Sequence, residues 1–373
     1  SQTDATGKTW SSRSLMACYD QAADAFGWSR RTAGLGSMRD GDWLIGWGCA
    51  TACYPTYIGA ATARVRLSSN GQVRVQSASH EIGTGIRTVA AQAAAEQLGV
   101  DVAAVTVEMG DTELPPAPVS GGSVSTASVC SAVMKACDEI RDRLFRSVVT
   151  SNDGPLAGRN PADLALKGGK VVAGNGIEQG LADAFKSLGA GVIEAYAEFV
   201  PQGASADAVQ SLYQGKSTLV GGGEGEKVMY AFGAEFVEVR IHARTREIRV
   251  PRMVGAFAGG RIMNTRTARS QLMGGMIWGQ GAALHEETQI DPRHARTVNR
   301  DLQDYLVPVN ADVGDVQVIL VPEVDRDVNP AGVKGLGELG NVGTSAAIAN
   351  AIYHATGQRI RHLPIRLDDL LAA

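Results

Sequence analysis

Ala63-Arg-Val-Arg-Leu67 alternates apolar and charged residues, turns at Asn70-Gly71, and resumes as Val73-Arg-Val75. Period-two alternation on either side of Asn-Gly is the pattern of a β-hairpin with one buried face. A second block far downstream repeats it: Phe236-Val-Glu-Val-Arg-Ile-His242, a turn near Arg244 to Arg246, then Ile248-Arg-Val250. Each hairpin leads through a glycine-containing loop into a helical pattern. The first such helix is Thr88 to Leu98; the second begins near Arg269 and carries Gly274, Gly275, Gly279 and Gly281. The repetition predicts an α+β fold of two related hairpin–helix lobes, an imperfect internal duplication. The first lobe is expected at residues 1–190 and the second at residues 191–373.

Around these blocks, Leu15, Cys18, Tyr19, Ala22 and Phe26 recur at helical spacing. Further helices are expected at Ser128 to Val148, at Ala182 to Leu188, and over the alanine-rich Val342 to Thr356. Asp42 to Gly48 reads as a strand feeding a Gly/Ala/Pro segment, and Val316 to Val321 as a buried strand. Asn152 to Gly180 is polar, with Pro155 and Pro161, and predicts a surface excursion between the lobes.

A net charge of −4 gives no basis for a nucleic-acid or anionic-membrane surface. No apolar run approaches the roughly 18 residues needed to span a bilayer. The polar start, Ser1 to Trp10, lacks a signal-peptide pattern, which leaves the cytoplasm and the bacterial periplasm both open. Of five cysteines only Cys49 and Cys53 are closely spaced, and no second pair with zinc spacing follows. Plain thiols are expected.

Four loops, each opening a helix, carry the chemistry. Lys334-Gly-Leu-Gly-Glu338-Leu-Gly340 puts a carboxylate inside a glycine-rich turn, where backbone can approach a ligand and helix N–H groups favour negative charge. His80-Glu-Ile-Gly-Thr-Gly85 and Ser120-Gly-Gly-Ser-Val-Ser-Thr-Ala-Ser128 offer N–H groups and hydroxyls. Arg261-Ile-Met-Asn-Thr-Arg-Thr267 with Gln271 offers guanidinium and amide donors. Each also fits a plain turn, cap or solvated loop. Together they imply one large, anionic, multi-part ligand. The Gly335-x-Gly337-x-x-Gly340 spacing lacks the preceding strand and the acid about 20 residues on that a dinucleotide fold requires. Gly215-Lys216-Ser217-Thr218 fails as a phosphate loop because Gln210 stands where its first glycine belongs.

Lys334 to Glu338, Ala355 to Pro364, Asp304-Tyr305, Gln280 to Glu286, Gly260 to Asn264, Ile82 to Gly85 and Phe26-Gly-Trp28 occur in an order and spacing that resembles the xanthine dehydrogenase/aldehyde oxidase family. The match is to the C-terminal half of its molybdenum-cofactor-binding subunit. Within that family the chain resembles bacterial aldehyde oxidoreductases of the periplasmic, three-subunit type, which use molybdopterin cytosine dinucleotide. The resemblance implies that Ile82, Gly83, Thr84, Ser125 and Thr126 contact the pterin. It implies that Arg261, Ile262, Met263, Asn264, Thr265, Arg266, Thr267 and Gln271 hold the nucleotide end. Lys334, Gly335, Leu336 and Gly337 would lie beside the metal, and Glu338 would be the catalytic base. The pterin dithiolene rather than side chains would hold the metal. The implied activity is oxidative hydroxylation of an aldehyde to a carboxylic acid with water as oxygen source. A purine or N-heterocycle hydroxylase and a non-catalytic cofactor-cage subunit are the alternatives. Family large subunits run about twice this length, so the N-terminal half is expected on a separate subunit, on a cleaved partner or in sequence beyond this chain, together with partner iron–sulfur ([2Fe-2S]) and FAD subunits.

Overall fold

The computed structural model describes residues 3–371. In chain order the principal elements are α1 (Leu15–Phe26), β1 (Trp43–Pro55), β2 (Ala61–Ser68), β3 (Val73–Gln76), α2 (Ile86–Leu98), β4 (Val105–Glu108), α3 (Ser125–Thr150), β5 (Val192–Phe199), β6 (Tyr230–His242), β7 (Ile248–Ala258), α4 (Thr265–Leu284), β8 (Asp315–Leu320), α5 (Leu339–Val342) and α6 (Thr344–Thr356). The mixture is α+β, as expected from the two hairpins.

Both hairpins form, and each starts the same unit. β2 and β3 pair antiparallel, α2 crosses over, and β4 returns parallel to β3. β6 and β7 pair antiparallel, α4 crosses over, and β8 returns parallel to β7. A further antiparallel strand then flanks each hairpin: β5 beside β2, and β1 beside β6. These flanking strands cross residue 190 in both directions, since β5 joins the sheet of the first hairpin and β1 that of the second.

Local chemistry explains most element ends. At the first turn, Gly71 at φ +84° donates its N–H to Ser68, and the Asn70 amide oxygen accepts from the Gln72 N–H. α1 stops at Gly27 in the left-handed conformation. α4 begins at Thr265, four residues before the sequence pattern indicates, because the Asn264 side chain caps it by accepting from the Arg266 and Thr267 N–H groups. The expected single helix from Val342 to Thr356 is two, broken at Gly343. The polar excursion of 152–180 carries a small sheet of its own, Leu164–Lys167, Lys170–Ala173 and Glu178–Gly180.

β1 runs seven residues beyond the expected end at Gly48. α6 covers one face of it, and α1, which lies over β6 and β7, reaches the other through Phe26 on Trp47 and Tyr19 on Thr51, so it shows small and apolar residues in place of alternation. α6 lies directly on its backbone. A Cβ at Gly46 would sit 1.9 Å from the Ala351 carbonyl oxygen, and one at Gly48 would sit 2.1 Å from that of Ala347. Helix and strand approach this closely only because neither position has a side chain. Phe26, Trp28, Trp47 and Phe236 fill the opposite face with edge-on ring contacts, and Arg252 lies 4.0 Å above the Phe26 ring.

No helix of the described residues is long and apolar enough to cross a membrane. Cys18, Cys49, Cys53, Cys130 and Cys137 are free thiols. Gly48→Ala is expected to force α6 off the sheet and lower unfolding stability by about 2 kcal/mol, the usual scale of overpacking. A denaturant midpoint equal to wild type would contradict the close approach.

Candidate functional site

The helix-opening loops of both lobes meet. A cleft of about 240 Å³ is lined by Ile82 and Thr84 ahead of α2, by 120–126 entering α3, by Arg261 to Asn264 with Thr267 and Gln271 at α4, and by 333–338 without Gly335. Ile82, Thr84, Ser125, Thr126, Arg261, Ile262, Met263, Asn264, Thr267, Gln271, Lys334, Leu336, Gly337 and Glu338 therefore share one concavity. Gly83, Thr265, Arg266 and Gly335 are outside its lining. Thr265 and Arg266 face solvent from the first turn of α4, and Gly335 is buried beneath Ser123.

Distant side chains hold the backbone of 334–338. The Lys334 N–H donates to Gly259 O at 3.0 Å, the Gly335 N–H to Thr56 Oγ1 at 3.3 Å and the Gly337 N–H to Ser123 Oγ at 2.9 Å. Gln271 Nε2 donates to Gly337 O at 3.0 Å. Ser123 takes φ +61° to reach this position, an uncommon conformation for a residue with a side chain. α5 then docks on α4, where a Cβ at Gly340 would stand 2.3 Å from Leu272 O. The glycine stripe of α4 is the bed for the Glu338 segment, with Gly275 under Gly340 and Gly279 under Thr344.

Glu338 stands exposed at the cleft, and Tyr54 Oη donates to its Oε2 at 2.6 Å. Burial, followed by the bond to Glu338 and its charge, pushes the Tyr54 hydroxyl up to about 12. Tyr54 is therefore a permanent donor at working pH. Nothing in its local sequence pairs it with a residue 284 positions away. Ser120, Ser123 and Thr56 were likewise visible only as members of small-residue runs.

Two electrostatic expectations change. The N–H groups of Gly83 and Gly85 do not stand open as an anion cradle, because the Glu81 carboxylate accepts from Gly83, Gly85 and Arg87 at 2.9–3.1 Å. Partial burial opposes this carboxylate's charge, but the bonds from Gly85, Arg87 and Gly83 outweigh it and hold Glu81 below its ordinary range. The positive charge expected at the α4 loop is also committed. Arg261 Nη2 lies 2.5 Å from Glu96 Oε2, and Asn264 Nδ2 donates to Gln92 Oε1. Both contacts tie α2 to the α4 loop, so they join the lobes.

Lys334 faces away from the cleft. Its buried ammonium contacts Glu323 at 2.9 Å and Asp325 at 3.2 Å and donates to the carbonyls of Ser12 and Tyr230. Only its backbone belongs to the cleft wall.

The description "Molybdopterin cofactor-binding domain" matches residues 21–314. The chain is 39% identical over 364 residues to the aldehyde oxidoreductase molybdenum-binding subunit PaoC of Escherichia coli K12, covering 98% of this chain and 45% of that protein. It is 28% identical over 366 residues to the putative xanthine dehydrogenase molybdenum-binding subunit XdhA of the same strain, covering 96% and 46%. The quinoline 2-oxidoreductase of Pseudomonas putida 86 superposes with a TM-score of 0.82 at 20% identity, over 99% of this chain and 47% of that one. The chain spans about half the length of the curated relatives it matches.

Lys334→Met leaves two buried carboxylates without their cation. The expected loss is about 3–5 kcal/mol of stability, read from chemical denaturation. A variant as stable as wild type would show that this network does not anchor the loop.

Proposed function

Because this chain belongs to the molybdopterin cofactor-binding domain family, we propose that it is the cofactor-holding part of a molybdenum-dependent aldehyde oxidoreductase, with Glu338 as general base. The observation that carries this reading is the convergence of four loops from two lobes on one cleft with a carboxylate at its edge.

The donor set fits such a cofactor. Thr84, Ser120, Ser123, Ser125, Thr126 and Thr267 bring hydroxyls, and Asn264 and Gln271 bring amides. These are neutral groups suited to a polar organic ligand of several parts. Among the described residues no group of three His, Cys, Asp or Glu is placed to hold a metal ion. A ligand that carries its own metal is consistent with that set. Ile82, Thr84, Ser125 and Thr126 would hold the pterin, and Arg261 to Asn264 with Thr267 a cytosine dinucleotide tail. Gln271 would act nearer the metal end than the tail, since its amide already holds Gly337.

When bound, the molybdenum cofactor supplies the two-electron oxidation that turns an aldehyde into a carboxylic acid with water as oxygen source. Glu338 takes the proton released as water-derived oxygen adds to the carbonyl carbon. Tyr54 engages one carboxylate oxygen and leaves the other for that proton. It stabilises the carboxylate before transfer, and its bond weakens once Glu338 is neutral, which eases release of the proton. Ser123 and Gln271 fix Gly337 and so fix the place from which Glu338 acts. Iron–sulfur and FAD groups on partner chains would take up the electrons.

Identity favours aldehydes over purines: 39% to the aldehyde oxidoreductase subunit against 28% to the xanthine dehydrogenase subunit. A cage without catalysis would have no use for a carboxylate held at the cleft by a dedicated tyrosine.

Glu338→Gln is expected to lower kcat in the assembled enzyme by at least about 100-fold, the lower range for losing a general base, with molybdenum content unchanged. Activity near wild type would remove Glu338 from the mechanism. Tyr54→Phe is expected to cost about tenfold in kcat with little change in KM, on the scale of one hydrogen bond to a charged group at a partly open site. An effect confined to KM would make Tyr54 a substrate contact instead.

A further inference from the structure

Glu235 lies on β6 with 0% exposure and forms no ion pair among the described residues. It stands directly behind the segment that carries Glu338. The Gly343 N–H donates to its Oε1 at 3.2 Å, at the break between α5 and α6. Its Oε2 is in hydrogen-bonding contact with Thr344 Oγ1, and the same Thr344 hydroxyl lies 3.1 Å from Gly340 O inside α5.

A hydroxyl has one proton to give. One proton cannot serve both contacts in full. Both are satisfied when a protonated Glu235 donates to Thr344 and Thr344 donates to Gly340 O, and a fully buried carboxyl group with no cation beside it favours that neutral form. The surroundings agree. Ala50 and Gly255 flank Glu235 in the sheet, and α5 carries no titratable side chain. The titratable groups that the packed elements carry nearby are Tyr54 on β1, Glu338 ahead of α5, and Tyr353 and His354 on α6, while Arg266 and Arg269 on α4 face solvent. None of them bonds to Glu235. Tyr54 and Glu338 engage each other, and His354 is committed to the Trp47 N–H and the Thr32 carbonyl.

We propose that Glu235 is a positioning residue: a neutral carboxylic acid that bridges Gly343 and Thr344 and thereby locks the short helix following Glu338. Burial, partly offset by the bonds that Thr344 and Gly343 would donate to the ionised form, raises its pKa from the usual carboxylate range to about 8. The lock is therefore closed at neutral pH and opens on the alkaline side.

The sign of the stability effect follows. The unfolded chain releases this proton near 4.5 and the folded chain near 8. Stability from the neutral acid is thus fully present below about 4.5, declines as pH rises, and stops declining above about 8. E235Q reproduces the neutral acid without the proton: its amide can donate to Thr344 and its carbonyl can accept from Gly343.

The test compares wild type and E235Q in the assembled protein from pH 5 to 9. The difference in Tm, wild type minus variant, is expected to fall steadily up to about pH 8 and then level off. In hydrogen exchange of peptides covering 335–345, corrected for intrinsic rates, the two should match at pH 6. At pH 9 the wild type should exchange about tenfold faster than E235Q. A Tm difference constant across the range would mean an ordinary ionised glutamate and overturn the proposal. Equal protection of the two proteins at pH 9 would overturn the positioning role. The assignment of Glu338 as base rests on the proposed function, but neither readout uses turnover or molybdenum, so the two readings fail separately.

Discussion

The peptide groups of 334–338 belong to no regular element, yet four of the five residues are at least partly buried and need partners. Thr56, Ser123, Gln271 and the Gly259 carbonyl supply them from four separate places in the chain. This shared satisfaction is the constraint from which the site follows. It requires β1, the entrance of α3 and the second turn of α4 to stand within hydrogen-bond reach of one short loop. Any arrangement of the lobes that fails to do so leaves buried amides unpaired, at a cost of about 1–3 kcal/mol each. Placement of Glu338 is thus a by-product of backbone chemistry. The Lys334 network fixes one end of the loop, and docking of α5 on the α4 glycines fixes the other.

The duplicated unit explains why the site sits where it does. In each sheet the hairpin feeds a crossover helix whose start lies beyond the strand ends. With the two units side by side, the starts of α2 and α4 face each other. Gly85 at the start of α2 lies against Thr267, and Gln92 and Glu96 farther along α2 take Asn264 and Arg261. The cleft is the space left where two helix entrances and the α3 entrance cannot pack flush. Its lining mixes hydroxyls and amides with apolar side chains such as Ile82, Met263 and Leu336.

What was legible in the sequence was local. The 63–75 hairpin could be read because strand period and turn chemistry are written within a dozen residues. The loops could be read as helix entrances for the same reason, and so could their membership of one ligand site once their order was considered together. What escaped was long-range or two-sided. The last seven residues of β1 show no alternation of buried and exposed positions, since only Ala52 among them is buried. At the break, the Gly343 N–H bonds to Glu235, 108 residues earlier. The Tyr54–Glu338 contact, the burial of the Lys334 ammonium, and the capture of the 83–87 amides by Glu81 depend on where side chains end up. Residue type alone pointed the wrong way for the last of these, since a glycine-rich turn looks like an anion binder.

One measurement tests the central claim most directly: the molybdenum and the nucleotide carried by the purified, assembled protein, each counted per copy of this chain. The account predicts about one molybdenum atom per chain and, on mild acid release, one cytidine nucleotide. Fully assembled protein with neither would contradict it.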